Sequence, residues 1–190
     1  MNLVFAAALE LQSFFQQQNW KFCIIGGLAL QRWGEPRLTL DVDVTLLTGF
    51  GEEEKFIDPL LARFRGRRPD ARDFALTYRV LLLEGQNEVG LDVAMGALPF
   101  EEGTIHRASS FQVGPGQSLL TCSAEDLIVH KCFAGRDRDW ADVETVLVKQ
   151  HRHLDFKLIW TELSPLLELK QEPDTARRLQ ALITKVEDNL

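Results

Sequence analysis

Residues 37–46 read Arg-Leu-Thr-Leu-Asp-Val-Asp-Val-Thr-Leu, and polar and apolar side chains alternate strictly along them. In an extended strand, successive side chains point to opposite faces, so this alternation predicts a strand with one polar and one apolar face. Asp41 and Asp43 then stand side by side on the polar face, roughly 7 Å apart along the strand. Two carboxylates in that position repel each other unless a cation or a basic group lies between them.

This pair of carboxylates has two interpretations. A half-buried antiparallel strand alternates in the same way, with its polar side in water and nothing bound. Alternatively, the two carboxylates hold a hard divalent cation such as Mg2+, which prefers oxygen ligands. The residues that precede the strand favour the second interpretation.

Those preceding residues predict a phosphate-binding turn. Residues 21–25 predict a short buried strand that ends at Gly26 and Gly27, and residues 28–33 predict a short helix closed by Gly34. Glycines let a ligand approach the backbone, and a helix N-terminus offers free N–H groups and a partial positive charge. A strand, two glycines, a helix and an Asp-x-Asp strand, in that order, are more specific than a Gly-Gly pair alone.

A third aspartate lies on a later predicted strand. Residues 75–83 and 89–95 predict two strands joined as a hairpin across residues 85–88. Within the second strand, the same-face neighbours of Asp92 are glycine and alanine, which leave space around its carboxylate. Asp92 is therefore either one polar residue on an ordinary strand or the third carboxylate of the site.

One lysine interrupts an otherwise apolar helix. Ser123 predicts the N-terminus of this helix, and Lys131 is the charged residue within its apolar stretch. Such a lysine either extends its head to the surface or is held in place to contact phosphates or assist proton transfer. Asp139 lies at the start of the inward-facing stripe of the next predicted helix, residues 138–149, and is expected to form an ion pair with Lys131 or Arg136.

Composition restricts the partners of this chain. The 190 residues carry a net charge of -7, with 45% hydrophobic and 26% charged residues, which is typical of one ordinary globular protein. An acidic protein is a poor general binder of nucleic acid, because affinity for the backbone comes largely from Lys and Arg. A local run of arginines is the exception, formed by Arg63, Arg65, Arg67, Arg68 and Arg72. It is either a solvated helix end and loop or the place where an RNA backbone would bind.

The cysteines and the hydropathy pattern indicate a cytoplasmic protein. The three cysteines lack metal-ligand spacing and are expected to be reduced, buried thiols. The N-terminal residues predict an amphipathic helix and not a signal peptide. No apolar run approaches the 18 or so residues of a membrane span, so no membrane partner is expected.

Two segments carry a resemblance to a known superfamily. The first runs from Gly26-Gly27-Leu28-Ala29 to Arg37-x-Thr39-x-Asp41-x-Asp43 and resembles the first motif of the polymerase-beta-type nucleotidyltransferases. The Gly-Gly pair is most similar to the AbiEii-type branch, which includes toxins of abortive-infection systems. The second segment, residues 123–139, resembles that branch's pattern of Glu-Asp-Leu, Lys and Ala-x-Arg-x-x-Asp. In this superfamily a third acidic residue on a neighbouring strand commonly completes the metal site.

The motifs and the resemblance together predict a Mg2+-dependent nucleotidyltransferase. It would transfer the nucleoside monophosphate of an NTP, such as ATP, to a hydroxyl group on an RNA end, a protein or a small molecule. The predicted catalytic residues are Asp41, Asp43, Asp92 and Lys131, and the three aspartates would hold two Mg2+ ions. The predicted nucleotide-binding residues are Gly26, Gly27, Arg37 and Thr39.

The predicted fold is α+β, with a small mixed, mainly antiparallel sheet of four or five strands, packed helices and a helical C-terminal part. Residues 1–122 are expected to form the nucleotidyltransferase-like core, and residues 123–190 a helical part packed on it, with Pro165 in the first turn of a helix. The competing hypothesis is a non-catalytic nucleotide-binding or protein-interaction module, such as one member of a toxin–antitoxin pair with a cognate partner protein.

Overall fold

The computed structural model describes residues 2–189, without the side chain of Asn87, and the chain divides into two compact units. Residues 2–28 and 38–122 form the first, which we call the sheet unit. Residues 29–37 and 123–189 form the second, which we call the helical unit. Residues 29–37 therefore group with the C-terminal helices and not with the strands that flank them in sequence.

A mixed sheet of seven strands organises the described part of the sheet unit. The strands are β1 (Phe22–Ile24), β2 (Asp41–Leu47), β3 (Arg65–Gly66), β4 (Val80–Glu84), β5 (Gly90–Gly96), β6 (Ser109–Gly114) and β7 (Gln117–Thr121). Their order across the sheet is β3-β4-β5-β2-β1-β7-β6. The pairs β2–β5 and β1–β7 are parallel, and the remaining pairs are antiparallel. The predicted α+β fold is confirmed, with more strands than the four or five expected.

The alternation of β2 decides which side chains enter the core of the sheet unit. Val42, Val44 and Leu46 are fully buried, whereas Asp41 and Asp43 on the opposite face are half-buried. Burying a valine or leucine side chain contributes about 1.5–3 kcal/mol, which pins the register of the strand. The same packing that buries the apolar face therefore presents both carboxylates on the other.

Helices complete both units. Those of the sheet unit are α1 (Leu3–Gln17), α3 (Glu54–Arg63), α4 (Ala71–Tyr78) and α5 (Pro99–His106). Helix α2 (Gly26–Trp33) begins in the sheet unit, and the helical unit contains α6 (Ala124–Ala134), α7 (Asp137–Gln150), α8 (Phe156–Lys170) and α9 (Pro173–Glu187). Ser123 caps α6, since its hydroxyl accepts the Asp126 N–H at 3.1 Å. Within residues 2–189, every helix is too short or too polar to cross a bilayer.

The predicted strand at residues 75–83 is wrong in its first half. Residues up to Tyr78 belong to α4, and β4 begins only at Val80. Arg79 separates the two elements in a left-handed conformation (φ 56°), and its N–H donates to the Ala75 carbonyl at 2.8 Å. Apolar residues stand on both sides of Arg79, so periodicity alone does not reveal the boundary.

The strand predicted from residue 37 begins only at Asp41. Leu38 and Leu40 are 76% and 72% exposed, whereas Thr39 between them is buried, which inverts the predicted alternation. The Thr39 hydroxyl lies 3.1 Å from Asp41 Oδ1 and donates to it. A short polar side chain that bonds locally in this way offers the backbone an alternative to a strand.

Pro165 also lies elsewhere than predicted. It is inside α8, which is continuous from Phe156 to Lys170, and not in the first turn of a helix. Ile159 and Leu163 before the proline, and Leu166 after it, are buried on one stripe. This packing on both sides of Pro165 offsets the hydrogen bond that the proline cannot donate.

Candidate active site

Three aspartates meet on the polar face of two neighbouring strands. β2 and β5 are parallel, and their register sets Asp43 directly opposite Asp92. Asp41 lies two residues before Asp43 on the same face. Each of the three half-buried residues offers a carboxylate oxygen, and these oxygens all lie within 4.8 Å of one another. The structure thus brings together the three carboxylates that the sequence suggested as a metal site.

The first glycine of the Gly-Gly pair fits against one of these carboxylates. Gly26 opens α2 with φ 60°, a conformation that disfavours any residue with a side chain. A Cβ atom at this position would lie 2.6 Å from Cγ of Asp43. Glycine is thus required here because the chain's own carboxylate occupies the space beside the start of the helix. The helix N-terminus in turn favours a negative charge at that point.

The second glycine makes room for Thr39. A Cβ atom on Gly27 would lie 2.8 Å from the Cβ of Thr39. Thr39, predicted as a nucleotide contact, has its hydroxyl directed at Asp41 Oδ1. In this structure the threonine therefore orients one of the three carboxylates.

Arg67 is a site residue that the sequence did not single out, because its arginine run was interpreted as either a solvated helix end and loop or a segment that binds an RNA backbone. Its Nη2 donates to Asp92 Oδ1 in an ion pair. Its Nη1 occupies the space above Gly90, where a Cβ atom would lie 2.9 Å from it. Gly90, on the same face of the strand as Asp92, was interpreted from the sequence as leaving open space. It is thus the sequence feature that could have indicated this contact.

The electrostatics of Asp92 reflect its surroundings. Burial raises the pKa of this carboxyl, the charge of Arg67 and its hydrogen bond lower it, and repulsion from Asp41 raises it again. The net pKa lies above the usual value for an aspartate. A carboxyl with a raised pKa accepts a proton more readily than an ordinary surface aspartate does.

Lys131 and Arg37 belong to the helical unit, where both bind carboxylates. Lys131 is 7% exposed, and its Nζ lies 2.9 Å from Asp139 Oδ1 and 2.7 Å from Asp142 Oδ2. Arg37 donates hydrogen bonds to the carboxylate of Asp142 through Nε and Nη2, at 2.8 and 2.7 Å. Burial would raise the pKa of Asp142, but the hydrogen bonds from Arg37 and Lys131 outweigh it, and the pKa is lowered. The expected ion pair between Asp139 and Lys131 is confirmed, and the lysine does not reach the surface.

The other arginines of the run at 63–72 are also neutralised by acids. Their ion pairs join Arg63 to Glu10, Arg65 to Glu84, Arg68 to Asp70, and Arg72 to both Glu54 and Asp58. Exposed pairs of this kind contribute little to stability, about 0–1 kcal/mol each. Because an acid compensates each arginine, the run favours the interpretation as a solvated surface over that of a patch for an RNA backbone.

The chain matches a known protein family over almost its whole length. Residues 3–187 match the family described as "Nucleotidyltransferase of unknown function (DUF6036)". This match confirms the nucleotidyltransferase part of the resemblance found in the sequence, whereas the AbiEii-type branch stays a prediction. No curated protein matches the sequence.

Solved structures of similar fold include a nucleotidyltransferase-like protein and an antibiotic-resistance factor. An antigenic nucleotidyltransferase-like protein from Paracoccidioides brasiliensis is 17% identical, with a TM-score of 0.55 over 94% of this chain and 92% of that one. The antibiotic-resistance factor ANT(2'')-Ia in solution is 14% identical, with a TM-score of 0.53 over 93% and 95% of the two chains. Its crystal structure with adenylyl-2''-tobramycin is 17% identical, with a TM-score of 0.52 over 88% and 95%. At such identities the likeness concerns the fold.

Proposed function

Because the chain belongs to the DUF6036 family of nucleotidyltransferases, we propose that it transfers the nucleoside monophosphate of an NTP to a hydroxyl group in a Mg2+-dependent reaction. The observation that carries the proposal is the convergence of Asp41, Asp43 and Asp92, whose oxygens lie within 4.8 Å of one another. Phosphoryl transfer needs little from the protein besides positioning and charge stabilisation. Three neighbouring carboxylates attract the cations that can supply both.

The donor set fits a hard divalent cation. All three side chains are carboxylates, and oxygen is the ligand atom that Mg2+ prefers. Burial and the charge of Asp41 both disfavour ionisation of Asp92, so a cation that shares the site would relieve real repulsion. Asp41, Asp43 and Asp92 would hold the metal, and we propose that two ions bind there. When bound, Mg2+ would offset charge on the triphosphate and lower the pKa of the acceptor hydroxyl.

The protein groups have separate tasks in this proposal. The carboxylate of Asp92 accepts the proton of the acceptor hydroxyl. At the same time the hydroxyl oxygen bonds to the α-phosphorus, and pyrophosphate leaves. Backbone N–H groups at the start of α2, at Gly26 and Gly27, donate to phosphate oxygens. Thr39 holds Asp41 in orientation through its hydroxyl.

Lys131 and Arg37 are the two predicted phosphate contacts that lie in the helical unit. Both were predicted to contact nucleotide phosphates, but their charged heads already bind Asp142. A phosphate contact by either would therefore require these ion pairs to open. The pair of Lys131 with Asp142 is buried, and it is costly to open because this leaves a charge uncompensated in the interior.

The acceptor class that we propose first is a small hydroxyl-bearing molecule, with ATP as the donor and the cytoplasm as the location. The net charge of -7 and the neutralised arginine run both weigh against RNA. The ANT(2'')-Ia structure was solved with an adenylylated antibiotic, which illustrates such an acceptor on this fold. A protein hydroxyl, an AbiEii-type toxin role and a cognate partner protein remain hypotheses that rest on the resemblance of the sequence.

Calorimetric titration with each NTP, with and without Mg2+, tests the proposal. The natural chain should bind ATP in a metal-dependent manner, and Asp43→Asn should weaken that binding because it removes one charged ligand. Asp174→Asn is the matched control, since this aspartate is exposed at the start of α9. Absence of metal-dependent binding in the natural chain would refute the proposal. Binding without transfer of labelled nucleotide to the small molecules of a cell extract would favour the non-catalytic module.

A further inference from the structure

Arg67 is anchored at the candidate site by its own backbone. Its N–H donates to the Leu82 carbonyl of β4 at 2.9 Å, directly after the two residues of β3. β4 pairs with β5 so that Leu82 lies opposite Asp92. The sheet therefore fixes the point from which the arginine side chain reaches the carboxylate.

The guanidinium lies over the strand that carries the third carboxylate. Nη2 is paired with Asp92 Oδ1, and Nη1 lies above Gly90. Any larger residue at position 90 would occupy the space that the guanidinium fills. The side chains of Arg67 and Asp92 are 33% and 31% exposed, so both remain accessible to a solute. An ion pair that is this exposed is weak enough to be exchanged, since such pairs contribute little to stability.

Arg67 and a divalent cation would draw on the same carboxylate. Even if each took a different oxygen of Asp92, two positive charges that share one carboxylate repel each other. Without metal, the arginine offsets one of the three negative charges and holds Asp92 on its strand. With metal present, it opposes the ion that the other two aspartates attract.

We propose that Arg67 is a resident counter-cation that positions Asp92 in the metal-free protein and competes with the divalent ion for that carboxylate. This inference rests on the proposed function, because it concerns the same three aspartates. Its consequence is that Arg67 sets the metal concentration at which the site fills. Arg67 is a positioning residue here, since it acts through Asp92.

A metal titration without nucleotide tests the inference, with Mn2+ as the probe because it also takes oxygen ligands. Arg67→Met removes the charge and keeps a long side chain, and it should tighten Mn2+ binding by up to about fivefold, the upper limit set by an exposed ion pair. Arg67→Lys restores a positive charge and should return the affinity toward that of the natural chain. Arg65→Met is the matched control, because its 80% exposed side chain pairs with Glu84 and should leave the affinity unchanged.

Thermal unfolding in EDTA supplies a second measurement. Arg67→Met should unfold at a lower temperature than the natural chain in EDTA, because three carboxylates then face each other without the arginine. Added Mn2+ should raise its unfolding temperature by more than it raises that of the natural chain. The side-chain Nε signal of Arg67 in the natural chain should also shift on addition of diamagnetic Mg2+, a test that needs no variant to fold.

The outcomes separate this inference from the proposed function. If the natural chain binds Mn2+ but Arg67→Met binds it equally or more weakly, the inference is overturned and the proposed metal site stands. An arginine that merely braces the sheet edge would give that result. If the natural chain binds no divalent ion, both fail. Tighter binding in Arg67→Met, reversed in Arg67→Lys, supports the inference.

Discussion

Replacement of Gly26 by alanine tests the geometry that joins helix α2 to the aspartate cluster. Gly26 has φ 60°, and a Cβ atom there would lie 2.6 Å from Cγ and 2.7 Å from Cβ of Asp43. Ordinary separation of two carbon atoms is about 3.5–4.0 Å, so the Asp43 side chain would have to move by about 1 Å. The variant should therefore lose both stability and the position of one carboxylate.

The cost can be divided into two parts. An alanine in the left-handed region costs about 1–2 kcal/mol. Forcing additional atoms into a packed position costs a further 1–3 kcal/mol or so. Gly116→Ala isolates the first part, because Gly116 has φ 67° and no heavy atom lies within 4 Å of its added Cβ. The Gly26 variant should thus be destabilised by about 2–5 kcal/mol, and the Gly116 variant by about 1–2 kcal/mol.

Urea unfolding at neutral pH measures both free energies, and titration with Mn2+ measures the site. Gly26→Ala should bind Mn2+ several-fold more weakly than the natural chain, whereas Gly116→Ala should bind it as the natural chain does. Equal destabilisation of the two variants, together with unchanged metal affinity at Gly26→Ala, would show that Gly26 does not position Asp43.

Two further predictions concern charges elsewhere in the chain. Asp142→Asn should lower the free energy of unfolding by about 3 kcal/mol, because it leaves Arg37 and Lys131 without a shared carboxylate in a buried network. Since the folded-state pKa of Asp142 is lowered, its stabilisation is present above the unfolded pKa of 3.8 and is lost as the pH falls through the lowered value. The natural chain should thus lose more stability than Asp142→Asn when urea unfolding is repeated below pH 4, and parallel pH curves would contradict this assignment. Arg79→Met should lower stability by about 1–2 kcal/mol and speed proteolysis within residues 48–53, because Nη2 donates to the Gly49 and Met95 carbonyls at 2.9 and 2.6 Å. Mn2+ affinity should stay unchanged in this variant, since residues 48–53 follow the C-terminal end of β2, whereas Asp41 lies at its N-terminal end. Weaker Mn2+ binding would contradict this expectation.

Several elements could be predicted because a few neighbouring residues encode them. The alternation in β2 places Asp41 and Asp43 on one face, and Ser123 starts α6 through its own hydroxyl. Where a local competitor intervenes, the same signals mislead. Residues 38–40 alternate like a strand, yet the bond from Thr39 to Asp41 and the space at Gly27 turn the threonine inward.

By itself, the sequence determined the strand that carries two carboxylates, the two glycines before it, and a third aspartate on a strand with small neighbours. Only the tertiary structure decided that β2 and β5 run parallel with Asp43 opposite Asp92, and that Arg67 reaches Asp92. The physical reason is how far apart along the chain the interacting residues lie. Side-chain alternation depends on adjacent residues, whereas the pairing and register of distant strands depend on how the whole core packs.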